Sequence, residues 1–397
     1  MTISPVALTV LAPEPPMPAV HGGRVDVLGR LRGLRQLGVR LQLICWADGP
    51  VADVERSALE ALCDDVIRLP KRSRVHALFE WTDPPLVRRF DLSAREAVAL
   101  SRRVTAFGSQ ALLLESWSAV LPAHRLRGLT RLPLVYRSQN VEVDYWRQMH
   151  DAAHGLARKR LGLTAGRIGA LERTLRLDAD CVLDISAADR LRSATLGQEG
   201  RSLVLPSTRL VEASDCTAWA DRDIDILFAG NLYAPNNIEG LRWFVAEVLP
   251  GVRRGRPQVR VMAAGSRPGS ALRALLENAG VEVVADPSDL APYRARARVL
   301  ANPQLHYGGL MQKMLDYLDH PCWMLSTPTG ASGMPHPLPS CLQIATSADE
   351  FIAAALRCCD TPPAEPAAGR SYLAQHFGLE RLAAAVEVIR ASRGGVG

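Results

Sequence analysis

The chain has 397 residues, 48% of them apolar and 22% charged, with a formal net charge of +6 and a pI near 9.0. That length exceeds one ordinary core and predicts two domains of roughly 200 residues, in a composition typical of soluble globular proteins with no run as long as a membrane span. The positive balance favours an anionic ligand or an anionic membrane surface; the arginines are spread along the chain, which argues against nucleic acid.

Cysteines at 45, 63, 181, 216, 322, 341, 358 and 359 lack metal-ligand spacing, and several sit in apolar runs where cysteine behaves as a small hydrophobe. No metal is expected, and the setting is reducing. Met1 to Ala12 has no basic region and reaches Pro13-Glu-Pro-Pro-Met-Pro18 too soon for a signal peptide. The expectation is a cytoplasmic protein, with peripheral attachment to the inner face of the membrane left open.

Val6 to Leu11 reads as a first strand, followed by a Pro-rich turn and a helix with Val25, Leu28, Leu31, Leu34 and Leu37 at helical spacing. Between them Gly22-Gly23 is either a plain helix start or a glycine turn lying under a ligand. Val39 to Cys45 is the next strand, so the chain opens as an α/β unit. Further strands are predicted at 66–69, 111–115, 133–137, 181–184 and 202–205, with helices at 50–62 and 92–107 and a longer polar-faced region up to Leu177. Within that region Ala157-Arg-Lys-Arg-Leu161 reads as a solvated helix face, or alternatively as a patch for phosphate or membrane.

Pro206 to Arg222 is polar and irregular and is read as the interdomain connection. Beyond it, strands at 225–229, 259–264, 281–285 and 298–302 alternate with helices at 236–249 and 270–279, which implies parallel strands and a ligand past their carboxyl ends. The fourth strand enters Ala301-Asn-Pro-Gln-Leu-His-Tyr-Gly-Gly-Leu-Met-Gln-Lys-Met-Leu-Asp-Tyr-Leu318, a turn opening into a helix with Leu310, Met314, Leu315 and Leu318 on one face. A helix start beside two glycines suits a phosphate, although such a turn is also common as plain structure. A Pro- and Gly-rich loop at 327–339, a helix at 350–359, a hinge-like break at 361–369 and a final helix from Tyr372 to Ala391 complete the chain.

Taken together, Gly22-Gly23, Arg-Ser-Gln-Asn-Val-Glu at 137–142, Phe-Ala-Gly-Asn-Leu-Tyr-Ala-Pro-Asn-Asn at 228–237, Ala-Ala-Gly at 263–265 and Tyr-Gly-Gly-Leu-Met-Gln-Lys-Met-Leu-Asp-Tyr at 307–317 resemble the group 1 family of retaining glycosyltransferases. The resemblance implies the α/β GT-B fold, two Rossmann-like domains facing across a cleft. The corresponding boundaries are 1–205 for an acceptor-side domain, 206–370 for a nucleotide-sugar domain and 371–397 for a helix returning to the first. It also implies transfer of a sugar from a nucleoside-diphosphate sugar, usually of UDP or GDP, to a carbohydrate, lipid-linked or small-molecule acceptor. The nucleotide sugar is substrate, so no cofactor is implied.

Carried onto this sequence, the family's glycine loop falls on Gly22 and Gly23, and its first-domain histidine on Gln139. The two glutamates that bracket the donor loop fall on Gly308 and Asp316. A basic pair expected after the strand at 225–229 is replaced by Gly230 and Asn231. Lys313, one turn before Asp316 and so on the same helix face, is read with the amides of Gly309 and Leu310 as neutralising the leaving diphosphate; a surface lysine is the bland alternative. Gly265, His306 and Met311 join the donor-binding set, and His21 is a further candidate for polar contact. Because three polar family positions are substituted, a non-catalytic GT-B scaffold or partner subunit is a second reading, and a sugar-nucleotide epimerase a third.

Overall fold

A computed structural model describes residues 6–19, 22–49, 53–73, 85–152, 155–194, 202–210, 216–306 and 309–391. The chain divides into two compact units, Met1–Arg209 with Leu379–Gly397, and Leu210–Gly378.

The first unit is built on a parallel sheet in the order β3-β2-β1-β4-β5-β6-β7. Its strands are β1 (Ala7–Ala12), β2 (Arg40–Ala47), β3 (Asp65–Pro70), β4 (Ala111–Leu114), β5 (Leu134–Ser138), β6 (Cys181–Asp184) and β7 (Ser202–Val204). Residues of β1 are buried throughout because both faces are covered, as in parallel sheets generally. Leu8, Val10 and Ala12 enter one core with Val27, Leu31 and Leu34 of the Gly22–Gln36 helix. Leu11 enters the other with Leu100 and Val104 of the Ala94–Phe107 helix. Ser93 starts that helix with a capping box, its hydroxyl accepting from the Glu96 amide while the Glu96 carboxylate accepts from the Ser93 amide.

The second unit carries a parallel sheet in the order β10-β9-β8-β11-β12-β13. The strands are β8 (Ile224–Ala229), β9 (Val261–Gly265), β10 (Glu282–Ala285), β11 (Ala297–Asn302), β12 (Trp323–Ser326) and β13 (Leu342–Ile344). In each sheet the order reverses about a central strand, β1 or β8, and in such sheets ligands bind at the carboxyl ends of the strands beside that reversal.

Two helices differ from the sequence reading. The run predicted at 236–249 is the Pro235–Trp243 helix, a π turn at Phe244–Val248 and then the Leu249–Gly255 helix. Pro250 has no amide to give to the turn before it, so the ladder opens there. The final helix expected from Tyr372 to Ala391 is two, Ala368–Phe377 and Leu379–Ala391. At Gly378 the backbone is extended, and the unit boundary falls at this break. The Leu379–Ala391 helix places Leu382, Ala385, Val386 and Ile389 in the core of the first unit. Gly33 makes that packing possible, since a Cβ there would stand 2.7 Å from a Leu382 methyl and 3.2 Å from one of Leu379.

Candidate functional site

The second unit gathers several of the sequence candidates at the carboxyl edge of its sheet. β8 ends at Ala229 and runs into Gly230-Asn231, while β9 ends at Gly265. A Cβ on Gly265 would lie 1.6 Å from the Gly230 carbonyl oxygen, so the two strand ends approach as closely as backbone allows only because residue 265 has no side chain. Asn231 then folds the following loop: its side-chain carbonyl accepts from the Ala234 amide at 3.2 Å and from the Asn237 amide group at 3.0 Å, and its backbone carbonyl accepts from Asn237 at 2.8 Å.

Lys313 reaches into this corner. Its ammonium donates to the side-chain oxygen Oδ1 of Asn237 at 2.8 Å and sits 4.5 Å from the centre of the Phe228 ring. A Cβ on Gly230 would be 3.8 Å from the Lys313 Cδ. The side chain is only half-buried by surface exposure, yet its surroundings are apolar enough that burial lowers its pKa from 10.5 to about 7. Gly230, Asn231, Gly265 and Lys313 therefore form one cluster, in which Lys313 is half-buried. Asn237 and Phe228 both lie in the 228–237 motif, where the sequence alone gives neither a role.

The helix carrying Lys313 spans Gln312–Leu318, so Leu310 and Met311 precede it, contrary to the expected helical face. Gly309 has a left-handed φ of 64°, a conformation that ends one segment before the next begins. A Cβ on Gly333 would stand 2.6 Å from the Leu310 Cα, so that loop is pressed against residue 333. Met311 is buried, its sulfur 3.5 Å from the Asn302 amide nitrogen. Tyr317 fixes the helix to the sheet: its hydroxyl accepts from the Ala229 amide at 2.9 Å and donates to the Ala229 carbonyl at 3.0 Å. Asp316 is half-buried beside it on the same helix. His306 pairs instead with Glu239, at 2.5 Å, in an exposed position. Gly308 and His21 lie outside the described residues.

In the first unit, Gly22 and Gly23 form the opening turn of the Gly22–Gln36 helix and are not a loop. The preceding Pro-rich segment makes the turn, and Arg24 ties the helix start to it by donating to the Pro18 carbonyl at 3.1 Å and pairing with Glu14 at 2.6 Å. One turn further, Arg30 bridges Asp26 at 2.7 Å and Glu115 at 2.6 Å, all buried, and Arg137 joins Asp26 at 3.3 Å. Burial alone would raise the Asp26 carboxyl; Arg137 and Arg30 outweigh it and hold the group well below the ordinary range.

Gln139 follows β5 in a half-buried turn. The buried Arg176 guanidinium donates to the Ser138 hydroxyl at 3.1 Å, and that hydroxyl donates to the Asn140 carbonyl at 3.0 Å, which fixes the turn around Gln139. Glu172 then accepts from the amides of Glu142 and Val143 at 3.1 and 3.0 Å and so caps the Glu142–Ala152 helix. Burial, reinforced by Glu172, pushes the Glu142 carboxyl up to about 8 despite the polar groups of Trp117, Trp146 and Asn140 around it. Glu142 ends the 137–142 motif, where nothing in the sequence marks it for a role. Among the described residues no group of His, Cys, Asp and Glu side chains is arranged to hold a metal, and no helix is long and apolar enough to cross a membrane.

No family model matches the chain. An uncharacterized 44.6 kDa protein in the cps region of Klebsiella pneumoniae is 23% identical over 341 residues, covering 82% of this chain and 84% of that protein. Among solved structures, Anabaena HepE in complex with UDP and glucose superposes with a TM-score of 0.67 at 12% identity, over 97% of this chain and 100% of that one. Sucrose-phosphate synthase from Thermosynechococcus elongatus does so with a TM-score of 0.72 at 15% identity, over 99% and 100%. At these identities the likeness is one of architecture: with its two parallel α/β sheets, the chain has the GT-B fold.

Proposed function

We propose that the protein is a retaining glycosyltransferase that moves a sugar from a nucleoside-diphosphate sugar, UDP- or GDP-linked, to a carbohydrate or lipid-linked acceptor. The observation that carries the reading is Lys313, held by Asn237 and Phe228 beside Gly230 at the carboxyl end of β8. A lysine poised near neutrality gains its proton fully when a diphosphate arrives beside it, and it then offsets the charge that develops as the glycosidic phosphate bond breaks. Gly230, with only the Phe228 and Lys313 side chains near it, leaves its backbone open to a phosphate oxygen. On this reading Asp316 accepts the ribose hydroxyls, and Gln139 offers a neutral amide where the family has histidine. With retention, the leaving phosphate itself takes the proton of the acceptor hydroxyl. The UDP and glucose held by HepE, which shares the fold, support this choice of donor. The eight free cysteines support a cytoplasmic setting.

The test is calorimetric titration with UDP, GDP, ADP and TDP, with and without magnesium. One nucleotide is expected to bind selectively, and Lys313→Ala to weaken it by about tenfold or more, as loss of a charge-assisted contact does. No binding by any of the four overturns the reading in favour of a non-catalytic member of the fold.

A further inference from the structure

A second concavity lies wholly within the first unit. It is a groove of about 890 Å³, formed by the Glu142–Ala152, Gly155–Asp178 and Ala187–Ala194 helices. That volume is in the range of small-ligand sites. Its shape follows from small residues on the long central helix. A Cβ on Gly169 would stand 2.9 Å from a Val143 methyl and one on Gly162 3.1 Å from the His150 ring, so these two let the helices close up. Gly166 has nothing within 4 Å of its Cβ direction and leaves the floor open.

The charge on the groove is one-sided. Arg147, Arg173 and Arg192 line it, against the single carboxylate of Asp144. Asp144 is engaged from both sides, by Arg192 at 3.0 Å and Arg147 at 3.8 Å, and so sets these two arginines in place. Arg173 has no ion-pair or hydrogen-bond partner among the described residues. His150, the remaining basic group, is paired with Asp151 at 2.9 Å. Several arginines brought to one concave surface fit phosphate oxygens, which guanidinium groups bind in bidentate fashion. The groove also adjoins the turn at Gln139, because Val141 and Val143 form its edge.

We propose that this groove binds the phosphate or diphosphate of a phosphorylated sugar acceptor, an assignment that rests on the transferase reading above. Arg147, Arg173 and Arg192 hold the anion, and Asp144 positions two of them.

The test uses the full chain saturated with UDP, which occupies the donor side, and titrates inorganic pyrophosphate by calorimetry. Pyrophosphate is expected to bind with UDP present. Arg147→Gln/Arg173→Gln should weaken it by about tenfold or more without changing UDP affinity, and Asp144→Asn should weaken it to a smaller degree, since Arg147 and Arg192 lose the carboxylate that sets them in place. A purely structural ion-pair cluster would leave pyrophosphate affinity unchanged in both variants. Neutral phosphatidylcholine vesicles carrying farnesyl diphosphate form the second arm. Much tighter arginine-dependent binding there supports a lipid-linked diphosphate, and equal affinity supports a soluble one. The proposal is overturned if UDP-saturated protein takes up no pyrophosphate, if uptake ignores both arginines, or if the protein binds only phosphatidylglycerol vesicles. Failure of the UDP titration with arginine-dependent pyrophosphate binding intact would count against the donor reading instead.

Discussion

The Gly230 carbonyl oxygen occupies the place where a side chain on Gly265 would begin, 1.6 Å from the position of a Cβ. Neither residue can yield easily, because the Gly230 amide bonds the Ala264 carbonyl at 3.0 Å and residue 265 closes β9. Gly265→Ala must displace the loop that carries Asn231. A cost of about 1–3 kcal/mol is expected for forcing atoms into this contact, read as a lower melting temperature, together with loss of nucleotide binding. Unchanged stability and affinity would show that the loop moves freely and that the close approach has no role.

Lys313 makes stability depend on pH in a definite direction. Its pKa falls from 10.5 to about 7 on folding, so between those values the unfolded chain holds a proton that the folded chain lacks. Stability then rises with pH across that window. Thermal melts of the ligand-free protein should climb over this interval more steeply than those of Lys313→Met, in which the rise is absent. Parallel curves for the two proteins would place the lysine in water.

Glu142 works in the opposite sense. Its pKa rises from 4.5 to about 8 on folding, so in this interval the folded state keeps a proton that the unfolded state has lost, and stability falls as pH increases. Glu142→Gln keeps an uncharged polar group of similar shape. It should melt above the parent protein at pH 8 and lose the decline; a lower melting point at that pH would mean that the ionised carboxylate is the stable form.

Asp26 contributes stability that is present above its unfolded pKa of 3.8 and is lost as pH falls below it, because Arg137 and Arg30 favour the carboxylate. Removing the charge leaves the buried Arg137 guanidinium without its carboxylate and Arg30 with Glu115 alone, at a cost of roughly 3–5 kcal/mol. Asp26→Asn should therefore melt well below the parent at neutral pH and show a flatter acid limb. Chemical denaturation at neutral pH and at a pH below 3.8 measures this.

Much of the fold was legible because short apolar strands alternate with helices at close spacing, and because Gly230 and Gly265 end their strands in sequence as they do in space. Lys313 was legible from its place one turn before Asp316. Its partner was not, since Asn237 lies 76 residues away and makes its contact only when the Pro235–Trp243 helix packs beside the Gln312–Leu318 helix. Arg30 and Asp26 sit where helical spacing alone gives a charged residue no reason to be buried; Glu115 and Arg137, each on another element, supply that reason. The split at Gly378 was hidden because apolar residues recur at helical spacing on both sides of it.

That split also sets the order in which the protein can be made. When residue 209 leaves the ribosome, Leu31 and Leu34 still lack Leu382, Ala385, Val386 and Ile389, which share their core. The entire second unit is synthesised before those four residues emerge. The unit that begins first is thus completed last, and a nascent chain carries an uncovered apolar flank through most of its translation.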